Sequence, residues 1–257
     1  MSKKFPIESK AFVVFAGIVF IIIVAAAGII LTQQPAIEFK DWGPAPQFNL
    51  LDQNNNSVTL DSYNTSDVLI INFIYTHCPD YANGTPGSCS LETAKMNSVV
   101  QSLMNDHYTS SQFHVISISF DYLLDNPAIM KEYGMDRAEG NFQYWSFLSG
   151  NETQTHSATK AYGVYAEYFN ETNTTTTTTT TSANAYSLKE NSFNSDIYGT
   201  ITSVDKIAHN SSTGWSHTSV VWLIDKTRTR RLLHSGFDWT SQRIVKEAEA
   251  LIHLDES

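Results

Sequence analysis

The sequence holds only two cysteines in 257 residues, Cys78 and Cys89, and no Cys-x-x-Cys pair. A disulfide-dense scaffold is therefore excluded, and so is the ordinary dithiol signature of a thioredoxin. Arginine is absent from the first 136 residues, and 26 acidic side chains outnumber 16 basic ones, for a formal net charge of −10. The acidic balance argues against anionic partners, so no nucleic acid partner is expected. Charged residues make up 16% of the chain, below the usual quarter or so, and Asn, Ser and Thr supply the polarity instead.

One stretch lacks polarity altogether. Residues 11–31, AFVVFAGIVFIIIVAAAGIIL, carry no charged or strongly polar side chain over twenty-one positions. At about 1.5 Å per residue a helix of roughly twenty residues crosses a hydrocarbon core of about 30 Å. The small-residue stretch at 25–28 lies inside the run, so an uncleaved anchor is expected rather than a signal peptide. Lys3, Lys4 and Lys10 precede it against the single acid Glu8, which keeps residues 1–10 in the cytoplasm and puts everything after Thr32 on the outer face of the cell membrane. Seven Asn-x-Ser/Thr sequons, at Asn55, Asn64, Asn83, Asn151, Asn170, Asn173 and Asn210, suit an exported domain that is glycosylated.

After a linker at 32–43, residues 44–257 read as one globular domain. PAPQFNLLDQNNNSVTL alternates around an Asn-rich turn, the pattern of a β-hairpin. Val68–Tyr75 and Phe113–Phe120 are nearly continuous apolar runs, as expected of central strands covered on both faces. From Leu91 apolar residues recur at helical spacing, and Asn126-Pro127 opens a helix expected to reach about Tyr133. FQYWSFL predicts a third strand, THSATKAYGV a short helix, and Thr218–Asp225 with Arg231–Ser235 a strand pair. Ser241–Leu254 closes the chain as an amphipathic helix. Strand–helix alternation followed by a hairpin and a helix predicts an α/β, thioredoxin-like three-layer sandwich. An insert at about 170–213, including TNTTTTTTTTS, has no apolar period and no expected chemistry.

The two cysteines stand ten residues apart, Cys78 behind the first strand and Cys89 at the start of a helix. A structural disulfide, a redox pair and a metal grip all fit that placement. The positive end of the helix macrodipole favours a thiolate at Cys89.

The strings FIYTHCPD, ISISFD, WSFLSG, KAYGVY and SHTSVVWLID, in that order, resemble the Sco/SenC family, membrane-anchored copper proteins of cytochrome c oxidase assembly. The resemblance covers roughly residues 44–254 apart from the Thr-rich insert. It implies that Cys78, Cys89 and His217 hold copper as Cu(I), Cu(II) or both, with reduction of the Cys78–Cys89 pair gating uptake. Two thiolates and an imidazole suit copper(I), and copper(II) can add an oxygen ligand. The family usually separates its cysteines by three residues, whereas this chain has the extra YANGTPGS stretch, rich in turn formers. Asp80 and Asp121 are candidates for orienting the site, with turn-capping and strand-ending as their plainer roles. The implied function is a metallochaperone, not a conventional enzyme, that loads the dinuclear copper centre of cytochrome c oxidase subunit II. The alternative is a thiol–disulfide reductase acting on the cysteines of that centre. A peroxiredoxin-like peroxidase needs a Thr or Ser before its cysteine and an arginine nearby. Thr76 is present, and no arginine precedes Arg137.

Overall fold

The computed structural model describes residues 15–22, 36–78, 81–82, 85–86, 88–170 and 213–254. The chain divides into two units, Met1–Glu38 and Phe39–Ser257. In the first, residues 15–22 are helical with exposed side chains. The remainder of the expected 11–31 anchor lies outside the described residues. Among the described residues no helix is long and apolar enough to cross a membrane.

The second unit is built on a mixed five-stranded sheet. Its strands are β3 (Val68–Ile74), β6 (Phe113–Ser119), β7 (Trp145–Leu148), β10 (Val220–Ile224) and β11 (Arg230–Ser235), ordered β11-β10-β3-β6-β7. β3, β6 and β7 are parallel, while β10 runs antiparallel to both β3 and β11. Every residue of β3 and of β6 is buried, as continuous apolar runs in a doubly covered sheet require. A hairpin of β1 (Asn49–Leu51) and β2 (Ser57–Thr59) precedes the sheet.

Parallel neighbours need a crossover, and helices supply it. α1 (Ser88–Asn105) joins β3 to β6, and α2 (Pro127–Arg137) joins β6 to β7. α3 (Glu152–Ala161) follows β7, and α4 (Ser241–Ile252) closes the domain. Alternation along β3 shows that two faces are covered. Asn72 bonds a side chain of α1, whereas the next residue, Phe73, packs on Tyr162 at the end of α3 with ring centroids 5.7 Å apart. The three layers expected from the sequence are in place.

Local chemistry explains the helix starts. Asn126 caps α2 by accepting from the N–H groups of Ala128 and Ile129, with Pro127 in the first turn. Asn151 caps α3 with a reciprocal bond to Gln154, an arrangement worth about 1 kcal/mol. α2 runs four residues past the expected Tyr133, because Tyr133 and Gly134 continue its buried face.

The alternation of the sequence did not predict one further pair. β8 (Ala166–Asn170) and β9 (Thr213–His217) form an antiparallel ribbon in which Asn170 faces Thr213. The chain between them, residues 171–212 with the Thr-rich tract, lies outside the described residues, but it leaves and re-enters the fold at one paired position. Two short strands, β4 (Tyr81–Ala82) and β5 (Thr85–Pro86), pair within the segment between the cysteines.

Candidate metal centre

The C-terminal ends of β3 and β6 are level, with Ile74 opposite Ser119, and the chain beyond them builds the site. In open α/β sheets this edge is where ligands bind. β3 delivers Tyr75-Thr76-His77-Cys78, β6 delivers Phe120 and Asp121, and α1 begins with Ser88-Cys89. β9 ends at His217. Cys78 and Cys89 are buried thiols, and His217 is 1% exposed.

Cys89 Sγ lies 3.7 Å from His217 Nε2. The other ring nitrogen, Nδ1, sits 3.4 Å from the carbonyl oxygen of Thr218, an acceptor that favours a proton on Nδ1. That tautomer turns the Nε2 lone pair toward the sulfur. The ring packs against Phe120 with centroids 4.7 Å apart and meets the edge of Tyr75 at 5.8 Å. Cys78 closes the set, since the side chains of Cys78 and Cys89 hydrogen-bond one another, as do those of Cys78 and Tyr75.

The electrostatics reverse one expectation. Burial pushes the Cys89 thiol well above its ordinary value, and the adjacent Cys78 sulfur raises it further. A helix macrodipole offers roughly 0.3–1 kcal/mol at the first turn, too little against the removal of a charge from water. Cys89 is a protonated thiol in the metal-free protein. Tyr75 is also held neutral, first by burial and then by the two sulfurs. A buried site that sets the neutral Cys89 thiol beside the Cys78 sulfur and an imidazole suits a soft cation that displaces the thiol proton and cancels part of the thiolate charge.

Asp121 stands two residues past the end of β6. It accepts from the N–H groups of Leu123 and Leu124 at 3.1 and 3.2 Å and from the side chain of Trp215. Trp215 is two residues before His217 on β9, and its ring packs on Phe120 at 5.6 Å. Asp121 thus braces the wall behind the imidazole. Burial, followed by the charge of Asp125, raises its carboxyl above the usual range. Asp80 lies outside the described residues.

Two acids missing from the sequence reading carry the local structure. Asp125 is 4% exposed and accepts from the Thr76 N–H at 3.0 Å and from the hydroxyls of Thr76 and Ser119. It pins the turn before Cys78 to the end of β6, and His77 Nδ1 is 3.5 Å away. The Thr76 hydroxyl is thereby committed to Asp125. Glu92, 0% exposed, is held by Asn72 at 3.0 Å and Ser219 at 2.8 Å. Its signal was present in the sequence, because position 92 falls on the same helical face as the buried Cys89, Met96, Val99 and Leu103.

The SCO1/SenC family model matches residues 43–216, which includes both cysteines and stops one residue before His217. Curated proteins yield no match to this sequence. Among solved structures, the chain is similar to Arabidopsis thaliana ScoI with copper bound, at 16% identity over 82% of this chain and 99% of that one, with a TM-score of 0.56. It is similar to Bradyrhizobium japonicum ScoI with copper bound, at 20% identity over 81% and 99%, with a TM-score of 0.52. BsSco, described as a Sco-family cytochrome c oxidase assembly protein with a disulfide switch, gives 17% identity over 86% and 99%, with a TM-score of 0.54. At these identities the structural likeness is one of fold, and it is the thioredoxin-like Sco fold. With more than half its length matched by the family model, and with the paired thiols and imidazole set at the end of the sheet, this chain belongs to the SCO1/SenC family.

Proposed function

We propose that the protein is a membrane-anchored copper metallochaperone, with Cys78, Cys89 and His217 as the ligands that hold the cargo. The observation that carries this reading is the 3.7 Å approach of Cys89 Sγ to His217 Nε2 in a buried site that also holds the Cys78 sulfur. Copper(I) takes thiolate and imidazole donors in low coordination number, and this site brings those donors together. Copper is bound in the Arabidopsis and Bradyrhizobium relatives, which supports copper as the cargo. The recipient in this reading is the dinuclear copper centre of cytochrome c oxidase subunit II, on the outer face that the apolar 11–31 segment and the lysines before it favour for the domain.

A second reading rests on the contact between the two thiols. A thiol pair that can touch can also form a disulfide, giving up two electrons and two protons to the cysteines of a partner. The protein is then a reductase of the recipient site. Anaerobic copper(I) titration of the reduced full-length protein separates the two. One tightly bound ion per chain, lost in Cys78→Ser, Cys89→Ser and His217→Ala, supports the chaperone. No copper binding, with rapid reduction of a disulfide substrate, supports the reductase. For the topology, protease added to intact cells should remove everything after Thr32; protection of the domain would place it on the inner face.

A further inference from the structure

The three proposed ligands arrive on three separate segments. Cys78 follows β3, Cys89 opens α1, and His217 ends β9 just ahead of β10. Asp125 pins the turn before Cys78, and Asp121 braces the wall behind His217, each acting on one segment. One side chain on α1 ties that helix to β3 and to the stretch that follows β9. Glu92 lies one turn along α1 from Cys89. Its Oε1 accepts from Asn72 Nδ2 in β3 at 3.0 Å, and its Oε2 accepts from the hydroxyl of Ser219, two residues after His217, at 2.8 Å.

The clamp is itself anchored. Asn72 Oδ1 accepts from Ser117 Oγ in β6 at 2.6 Å, and Ser117 Oγ accepts from the indole N–H of Trp145 in β7 at 2.9 Å. A chain of buried donors thus runs from β7 through β6 and β3 and ends on the Glu92 carboxylate. The nearby cation Lys95 is directed elsewhere, donating to the carbonyls of Phe237 and Trp239 at 2.6 and 3.0 Å. A carboxylate wholly removed from water persists only where its hydrogen bonds are satisfied, so its position is tightly set.

We propose that Glu92 is the positioning residue of the metal centre, holding the segments of Cys78, Cys89 and His217 at the separation the metal requires. It contacts neither metal nor substrate and acts through Asn72 and Ser219. The inference rests on the copper reading above, and its test therefore includes a measurement made without copper.

In the reduced full-length protein, Glu92→Ala should lower copper(I) affinity by roughly 10-fold or more, the range found when supporting groups of metal sites are removed. Glu92→Gln keeps an oxygen for Asn72 and an amide for Ser219, and should stay within about 3-fold of the parent at pH 6 by the same scale. The metal-free measurement is the equilibrium of the Cys78–Cys89 disulfide with glutathione. Each disulfide formed consumes one oxidised glutathione and yields two reduced. Loss of positioning should shift that equilibrium toward the dithiol by roughly 10-fold in Glu92→Ala, with Glu92→Gln restoring it. Should Glu92→Ala fail to fold, Ser219→Ala removes one anchor alone and should move both readouts in the same direction. Parent-like copper affinity and parent-like glutathione equilibrium in Ser219→Ala or Glu92→Ala overturn the proposal. If the parent binds no copper yet the glutathione equilibrium shifts as stated, the copper reading fails and Glu92 still positions the pair.

Discussion

Cys89 Sγ and His217 Nε2 stand 3.7 Å apart across 128 residues of sequence. The contact exists because α1 starts, and β9 ends, at the same edge of the central sheet. Its consequence is chemical, since a buried thiol beside an imidazole lone pair is half of a soft-metal site.

The cysteine pair gives opposite results under its two main interpretations. As a structural staple over so short a loop, its reduction would cost about 2–3 kcal/mol by the loop-entropy model. As a metal grip, the reduced protein without metal should keep its folded near-ultraviolet dichroism and thermal midpoint, and should then bind one copper(I). Each of Cys78→Ser, Cys89→Ser and His217→Ala should weaken that binding at least about 10-fold. A domain that melts on reduction and binds no copper would make the pair an ordinary disulfide.

Asp125 is the brace of the Cys78 turn. Asp125→Asn replaces an acceptor of three donors by a group that must present N–H to some of them. The expected loss is about 1.5–3 kcal/mol in urea unfolding, the scale of hydrogen bonds to a charged group. Copper(I) affinity should fall as well, because the turn that carries Cys78 is released. Unchanged stability would mean that the turn is held by its backbone alone.

The pH dependence of Glu92 has a definite sign. Burial raises its carboxyl from 4.5 to about 7, against the opposing effect of its bonds to Asn72 and Ser219. A folded-state value above the unfolded one favours the folded protein at low pH, and that stability is lost as pH rises from about 4.5 to about 7. At about 1.4 kcal/mol per unit the cost is on the order of 3 kcal/mol above neutrality. Glu92→Gln should remove this dependence and be more stable than the parent at pH 8, as read from urea midpoints at pH 5 and pH 8. A parent whose stability is flat across that window would show Glu92 ionised throughout.

Residues 170–182 should be dispensable for binding. The insert joins strands that already face each other in the β8–β9 ribbon, so the connection can be shortened at little cost. Deletion should leave one copper per chain and change the thermal midpoint little. A large loss of copper would show that the insert helps to place His217 at the end of β9.

Much of this protein was determined by its sequence alone. The buried runs of β3 and β6, the Asn126 cap, the amphipathic α4 and the position of Cys78 just beyond a central strand all follow from short-range rules. Apolar periodicity and capping act over a few residues and need no knowledge of the rest of the chain. The tertiary structure decided whatever depends on distant segments or on solvent. The pairing of β8 with β9 spans an insert without pattern, so no local signal announces it. The protonation of Cys89 is decided by packing, because the helix start is visible in sequence, whereas the burial that outweighs it is not. The helical spacing puts Glu92 on a buried face, but only packing brings it to Asn72 of β3 and to Ser219 ahead of β10. Sequence sets which groups are present and on which face they lie; only the packed chain sets which of them meet, and how little water remains when they do.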